Sequence, residues 1–163
     1  MDYLDTFSRF AAELEFAQLP AAVKDQLGWI LADTVAAVAA GSAEPELRAF
    51  ASKQGIGGAA TLIGLGRTSS ADAAAFVNGS AGTFLEMDEG NRFSRGHPAI
   101  HVIPAALALC EERHAGADVF LSAVATGYEV GSRLGAASKL RASMHPHVTW
   151  GTIRAAASCA RVE

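Results

Sequence analysis

Charge is scarce in this chain, and cysteine, proline and aromatic residues are scarcer still. Only 18% of its 163 residues are charged, against 50% hydrophobic, which excludes a solvated or disordered segment and calls for a buried core. Acid exceeds base by 17 to 13, leaving a net charge of −4, so no overall field draws the chain to nucleic acid or to an anionic membrane. The two cysteines, Cys110 and Cys159, lack metal-ligand spacing and a neighbouring histidine, and read as reduced thiols in a helical core. Long apolar runs are missing too. The uncharged stretch Ala73 to Leu85 is too short to span a membrane and is interrupted by Asn78, Gly79 and Gly82. Asp2 and Asp5 stand where an export signal carries positive charge, so a cytoplasmic protein is expected. No G-x-S-x-G elbow, phosphate loop or dinucleotide fingerprint occurs, and a nucleotide cofactor has no evident seat.

What the chain does have is helical periodicity. Phe7, Phe10, Ala11 and Leu14 recur at helical spacing, and Leu27, Ile30, Leu31, Thr34 and Val38 do so again after Pro20, with Gly41 closing that second helix. A third helix runs from Pro45 to about Lys53. Gly58 and Gly64 bracket Thr61, Leu62 and Ile63, which leaves room for a short strand but no sheet of consequence. Ser69 or Ser70 caps a fourth helix that passes Phe76, Val77 and Phe84 toward Glu86. A residue before proline is pushed out of the helical region, so His97 and Ile103 are expected to be extended, with the fifth helix running from Pro104 to about His114. The sixth starts at Ala117 or Asp118 and carries Gly127, Gly131 and Gly135 on one face. Glycine costs a helix about 1 kcal/mol relative to alanine, so three in register predict that another backbone crosses very close there. A seventh helix follows from about Thr149 through the alanines at 155 to 157. The expected fold is an all-α bundle of about seven helices in a single domain, 1–163.

Against this background the stretch EMDEGNRFSRGHPAIH, Glu86 to His101, stands apart: it gathers three carboxylates, two arginines and two of the five histidines. His145 and His147 form a second pair, again around a His-Pro dipeptide. A histidine on a proline-stiffened loop can exchange a proton near neutrality and cannot swing far, which suits a general base. Glu86, Asp88 and Glu89 crowd a helix C-terminus whose partial negative charge also opposes them, an arrangement that can keep a neutral carboxyl available as a donor. Pairing with Arg92 and Arg95 at a solvated helix end is the plain alternative. His101 is as ready to pack or cap as to react, and His114 reads as a surface residue. A metal is the chemical rival, but His97 and His101 share a helical face only if the segment between them is helical, and the two prolines argue against that. No metal is expected.

Four blocks, AAFVNGSAGTFLEMDE (Ala74 to Glu89), HPAIHVIPAALALCEE (His97 to Glu112), GYEVGSRLG (Gly127 to Gly135) and HPHVTWGTIRAAA (His145 to Ala157), together resemble the MmgE/PrpD family in order and approximate spacing. That family includes 2-methylcitrate dehydratase, cis-aconitate decarboxylase and iminodisuccinate epimerase. The resemblance implies the helical domain of a two-domain enzyme, usually dimeric, that uses no metal or nucleotide and acts on small di- or tricarboxylates by abstracting a proton beside a carboxylate. It puts Glu86, His97 and His145 in active-site positions and does not fix His147; the residues themselves add Asp88 as a further catalytic candidate, with Arg95, His147 and Thr149 as the expected contacts to substrate. Leu85-Glu86-Met87-Asp88-Glu89 stands where the family usually reads L-D-F-D-D, and Thr83 stands where it often has a histidine. Family members also continue into further helices and a smaller α/β lid, so the expected partners are the polycarboxylate substrate and either a second copy of this chain or a complementing chain that carries the lid. A non-catalytic dimerisation or partner-binding module is the alternative.

Overall fold

The computed structural model describes residues 2–55 and 57–163. Helices dominate: α1 (Tyr3–Glu13), a 3₁₀ turn (Phe16–Gln18), α2 (Ala21–Ser42), α3 (Pro45–Ser52), α4 (Ala71–Phe84), α5 (Pro98–Arg113), α6 (Ala117–Ala137), α7 (Pro146–Thr149) and α8 (Gly151–Val162). The segment between α3 and α4 folds into a small antiparallel hairpin, β1 (Ala60–Leu62) with β2 (Arg67–Ser69), in the register Ala60 to Ser69, Thr61 to Thr68 and Leu62 to Arg67. This is the all-α bundle that the periodicity predicts: α8 is the seventh expected helix, and α7 is an extra short helix just before it, in a stretch without helical periodicity. Among the described residues no helix is long and apolar enough to cross a membrane.

The middle of the bundle is α5, which packs against α2, α4, α6 and α8. Ala99, Val102, Ile103 and Ala106 on α5 meet Leu27 and Ile30 of α2 and Ala123, Val124 and Ala125 of α6 in the main core. A second cluster joins Val77 and Ala74 of α4, Ala108 of α5 and Leu62 of β1. The hairpin is tied down by polar groups as well. Asn78, buried inside α4, donates from Nδ2 to the Thr61 carbonyl at 2.8 Å and accepts from the Ile63 N–H at 3.0 Å. Glu111 of α5 accepts from both the backbone N–H and the hydroxyl of Thr61, each at 2.6 Å.

Two sequence expectations need correction. The fifth helix begins at Pro98, six residues earlier than expected, and Ile103 is helical despite preceding Pro104. An interior proline costs a helix about 3 kcal/mol through its missing N–H and its clash with the preceding turn. Here Ile100, Ile103 and Pro104 are all buried, so packing on α2, α4, α6 and α8 outweighs the local preference. Gly41, expected to close the second helix, lies within α2, and a Cβ there would collide with the Ala81 carbonyl of α4. Its role is close packing.

The glycine face of α6 behaves as its spacing predicts, and the crossing element is α8. A Cβ on Gly127 would lie 2.6 Å from the Arg154 carbonyl oxygen and 2.7 Å from Ser158 Cβ. One on Gly131 would strike the stem of the Arg154 side chain, and one on Gly135 would lie 2.6 Å from the Ser94 carbonyl oxygen. Through these contacts α6 holds α8, which follows closely on the short α7 with His147, and the loop before α5, which ends at His97.

Candidate active site

His97 is the N-cap residue of α5, with φ −114° and ψ 79°, so it lies outside the helical region as the following proline requires. Its ring Nδ1 is 3.3 Å from the Asp88 main-chain carbonyl oxygen and 3.3 Å from the Asp88 carboxylate Oδ2. The first is a hydrogen bond; the second is an ion-pair contact without hydrogen-bond alignment. The Asp88 side chain is 3% exposed and the His97 side chain 33%. Both neighbours of Nδ1 are acceptors, so the neutral ring carries its proton there and leaves an Nε2 lone pair free to accept another.

His147 of α7 is the hub of the cluster. Its ring centroid lies 5.1 Å from that of His97, 4.9 Å from that of His101 and 4.7 Å from that of His145. The His147 backbone N–H donates to His145 Nδ1 at 3.3 Å, and the Thr149 hydroxyl donates to the His145 carbonyl at 2.8 Å, which winds residues 145–149 into a single tight turn. Thr149 therefore spends its proton on shaping the loop. Burial, then the charges of His145 and His97, hold His147 below the usual imidazole range, while Asp88 and Glu86 act in the opposite direction.

His101 needed tertiary structure to be found. Because α5 starts early, His101 sits one turn into that helix, edge-on to His147 at 78° between ring planes. Its ring lies against Gly151, where an added Cβ would be 2.8 Å from it. Burial first, then the neighbouring charges of His147, Arg154, His97 and His145, push its pKa down to about 4. It is neutral at pH 7, and its buried Nε2 has no protein partner. The sequence treats it as scaffold; the fold makes it a wall of the cluster. His114, by contrast, is an exposed left-handed C-cap of α5 far along the same helix.

The three crowded carboxylates turn out to serve three separate ends. Glu86 follows α4 in the left-handed region at φ 53°, exposed, its N–H closing on the Thr83 carbonyl at 3.1 Å. Asp88 backs His97. Glu89 is structural: it accepts from the Ala99 N–H in the first turn of α5 at 3.1 Å and from the Tyr128 hydroxyl of α6 at 2.7 Å. A carboxylate at a helix N-terminus is well placed against the helix dipole. Tyr128 in turn accepts from Asn91 Nδ2 at 3.1 Å, and Asn91 Oδ1 accepts from the Phe93 and Ser94 backbone N–H groups at 3.0 Å each. Burial, helped by Glu89, pushes the Tyr128 phenol well up, so it stays a donor. Arg95 lies on this small loop, exposed and at φ 55°, and none of the ion pairs among the described residues involves it.

Arg154 is the least expected member of the neighbourhood. Its side chain is fully buried between α6 and α8, with one bond from Nη2 to the Gly131 carbonyl at 3.4 Å and no partner for Nε or Nη1. Burial lowers its pKa, and the Glu89 charge opposes that shift. A helical arginine beside a run of alanines carries no sequence signal of burial; only Gly131, which clears its stem, hints at it.

A shallow groove of about 370 Å³ opens from the cluster between α4 and α5, with His101 and His147 at one end. A larger groove, about 540 Å³, lies between α1, α2 and α6 among Phe10, Leu14, Leu19, Leu27 and Tyr128, but no histidine lines it. Size alone does not locate the chemistry. Among the described residues no group of three or more His, Cys, Asp or Glu side chains is arranged to hold a metal ion. Cys110 is buried and Cys159 partly buried, both free, and burial pushes both thiols up.

Four histidines and a buried aspartate are thus brought together at the junction of two His-Pro loops, on the scaffold of an all-α helical domain. The chain belongs to the MmgE/PrpD family, matching that family's N-terminal domain over residues 5–163. No curated protein and no solved structure matches it.

Proposed function

We propose that this chain forms the histidine-bearing part of an enzyme that removes a proton beside a carboxylate of a small di- or tricarboxylate, with dehydration of the 2-methylcitrate type as the leading reaction. Decarboxylation and epimerisation begin with related carbanion chemistry and are its variants. The observation that carries this reading is the Asp88–His97 pair set beside His147, which adjoins both His101 and His145. Asp88 fixes the His97 proton on Nδ1, so Nε2 takes the substrate proton. The electron pair left on carbon forms the double bond as the neighbouring hydroxyl departs, protonated by His145 and released as water. Glu86 and Asp88 oppose, without reversing, the burial that holds His147 below the usual imidazole range. Arg95 serves the substrate carboxylates as a charge-assisted donor and His147 as a neutral one, while Thr149 holds the turn that presents both His145 and His147. Within this reading the protein works in the cytoplasm, as a homodimer or beside a chain that completes the site.

A partner is favoured by one further observation: Phe84, Leu85, Met87, Phe93, Met144 and Val148 are all exposed apolar side chains on the segments around the cluster. Such a rim suits a covering surface. The decisive assay follows the unsaturated product by ultraviolet absorbance with 2-methylcitrate and related hydroxy-acids. General acid–base catalysis contributes typically 10²–10⁴-fold, so His97→Ala and His145→Ala should each lower turnover by at least about 100-fold. Full activity in the double variant would sink the assignment.

A further inference from the structure

We propose that residues 138–149 form an acid-opened flap, latched at neutral pH by the rings of His145 and His147. The device follows from how the segment is attached and holds whatever reaction the site performs. Residues 138–145 carry no helix or strand, and Arg141, Ala142, Ser143, Met144 and His145 are all exposed. Helix α7 is only four residues long, its Val148 is 76% exposed, and among the described residues α8 is the one element against which it packs extensively. At the far end Trp150 is 3% exposed, a fixed anchor on which the flap can turn.

Histidine ties the flap down. The His147 ring joins it to the rest of the site, with centroids 5.1 Å from His97 and 4.9 Å from His101. The turn itself depends on His145 Nδ1, which accepts the His147 N–H at 3.3 Å. A protonated imidazole has two donors and no acceptor, so a proton on His145 removes that bond and leaves the Thr149 hydroxyl alone to hold the turn. A proton on His147 sets a positive charge among His145, His97 and His101, where any second proton repels it at close range. Asp88 and Glu86 attract that charge from the segment between α4 and α5, and Arg154 of α8 adds positive charge on the His101 side. Burial outweighs the two carboxylates, so His147 binds a proton less readily latched than free. Acid therefore drives the flap outward. His101, neutral down to about pH 4, stays an uncharged wall meanwhile. Outward movement carries His145 and His147 away from His97 and parts the two halves of the cluster.

The test is limited proteolysis of the full chain by proteinase K, with rates normalised at each pH to a model peptide. Cleavage of a locally opened segment tracks the open population. One histidine that regains an ordinary value of about 6.5 on opening shifts that population by up to about thirtyfold between pH 7.5 and pH 5.0, so cleavage within 138–149 should quicken by at least about tenfold. Combining His145→Asn with His147→Phe keeps an acceptor for the residue-147 N–H and a ring at the hub but no titrating group, so this double variant should be cut equally slowly at both pH values. His147→Ala, with circular dichroism confirming that it folds, should be cut fast at both. A parent cut at the same rate at both pH values, or a double variant that keeps the parent's acid response, overturns the latch. Cuts spread through the helices at pH 5.0 report general unfolding and overturn the flap as a separate unit.

Discussion

Replacing Gly127 by alanine tests whether the α6–α8 crossing holds the site together. In an exposed helix the change would stabilise by about 1 kcal/mol, because alanine loses less backbone freedom. At position 127 the new methyl would meet the Arg154 carbonyl at 2.6 Å and Ser158 Cβ at 2.7 Å, both attached to a backbone that cannot swing aside. Overpacking of a close-packed core costs about 1–3 kcal/mol, and two contacts this short put the cost at the upper end. The balance is a loss of about 2 kcal/mol, which for a domain of this size lowers Tm by about 4–8 °C. Gly28 is the internal control: it is also helical, in α2, and exposed, and an added Cβ would meet nothing within 4 Å, so Gly28→Ala should raise Tm by about 2–4 °C. Paired thermal melts by circular dichroism read both effects. A Gly127→Ala variant as stable as the parent would refute the close crossing of α6 and α8.

Two other outcomes follow from the site. Glu86 occupies a left-handed conformation that glycine adopts without strain, so Glu86→Gly should raise stability by about 1 kcal/mol while lowering turnover; a variant less stable than the parent would show that no strain is stored there. For His101 the folded pKa of about 4 lies below the unfolded value of 6.5, so between those values the unfolded chain binds the extra proton. Stability is then lost as pH falls from about 6.5 to about 4, by at most about 3 kcal/mol and by roughly half that once the ring's partial exposure is discounted. His147 shifts in the same direction. Melts at pH 7 and pH 4.5 should differ less in His101→Gln than in the parent, and an undiminished difference would remove His101 from the explanation.

Much of the fold is written in local patterns, because helical spacing of apolar residues and the glycines of α6 act over one or two turns. The start of α5 is not, since Pro104 argues locally for a break and loses to the burial of Ile100 and Ile103. That one displacement hides His101, whose distance from His147 is set by how α5 and α7 dock. The acidic cluster is visible as a cluster, but its division among Glu86, Asp88 and Glu89 depends on Tyr128 and the Ala99 N–H, 39 and 10 residues away from Glu89 in the chain. The interior place of Arg154 depends likewise on a gap that Gly131 leaves on another helix.

Pro104 has a mechanical consequence for the site. Without its N–H, the carbonyl of Ile100 loses the rung that would join the first turn of α5 to the rest of the helix. The turn that bears His97 and His101 is therefore held to its own helix by one hydrogen bond fewer and depends more on the Glu89 clasp and on side-chain contact with α4. Bending is easiest at that missing rung. Ala99 and Ile100 of that turn are packed into two separate core clusters, so their burial is what keeps the histidine-bearing turn aligned across the gap.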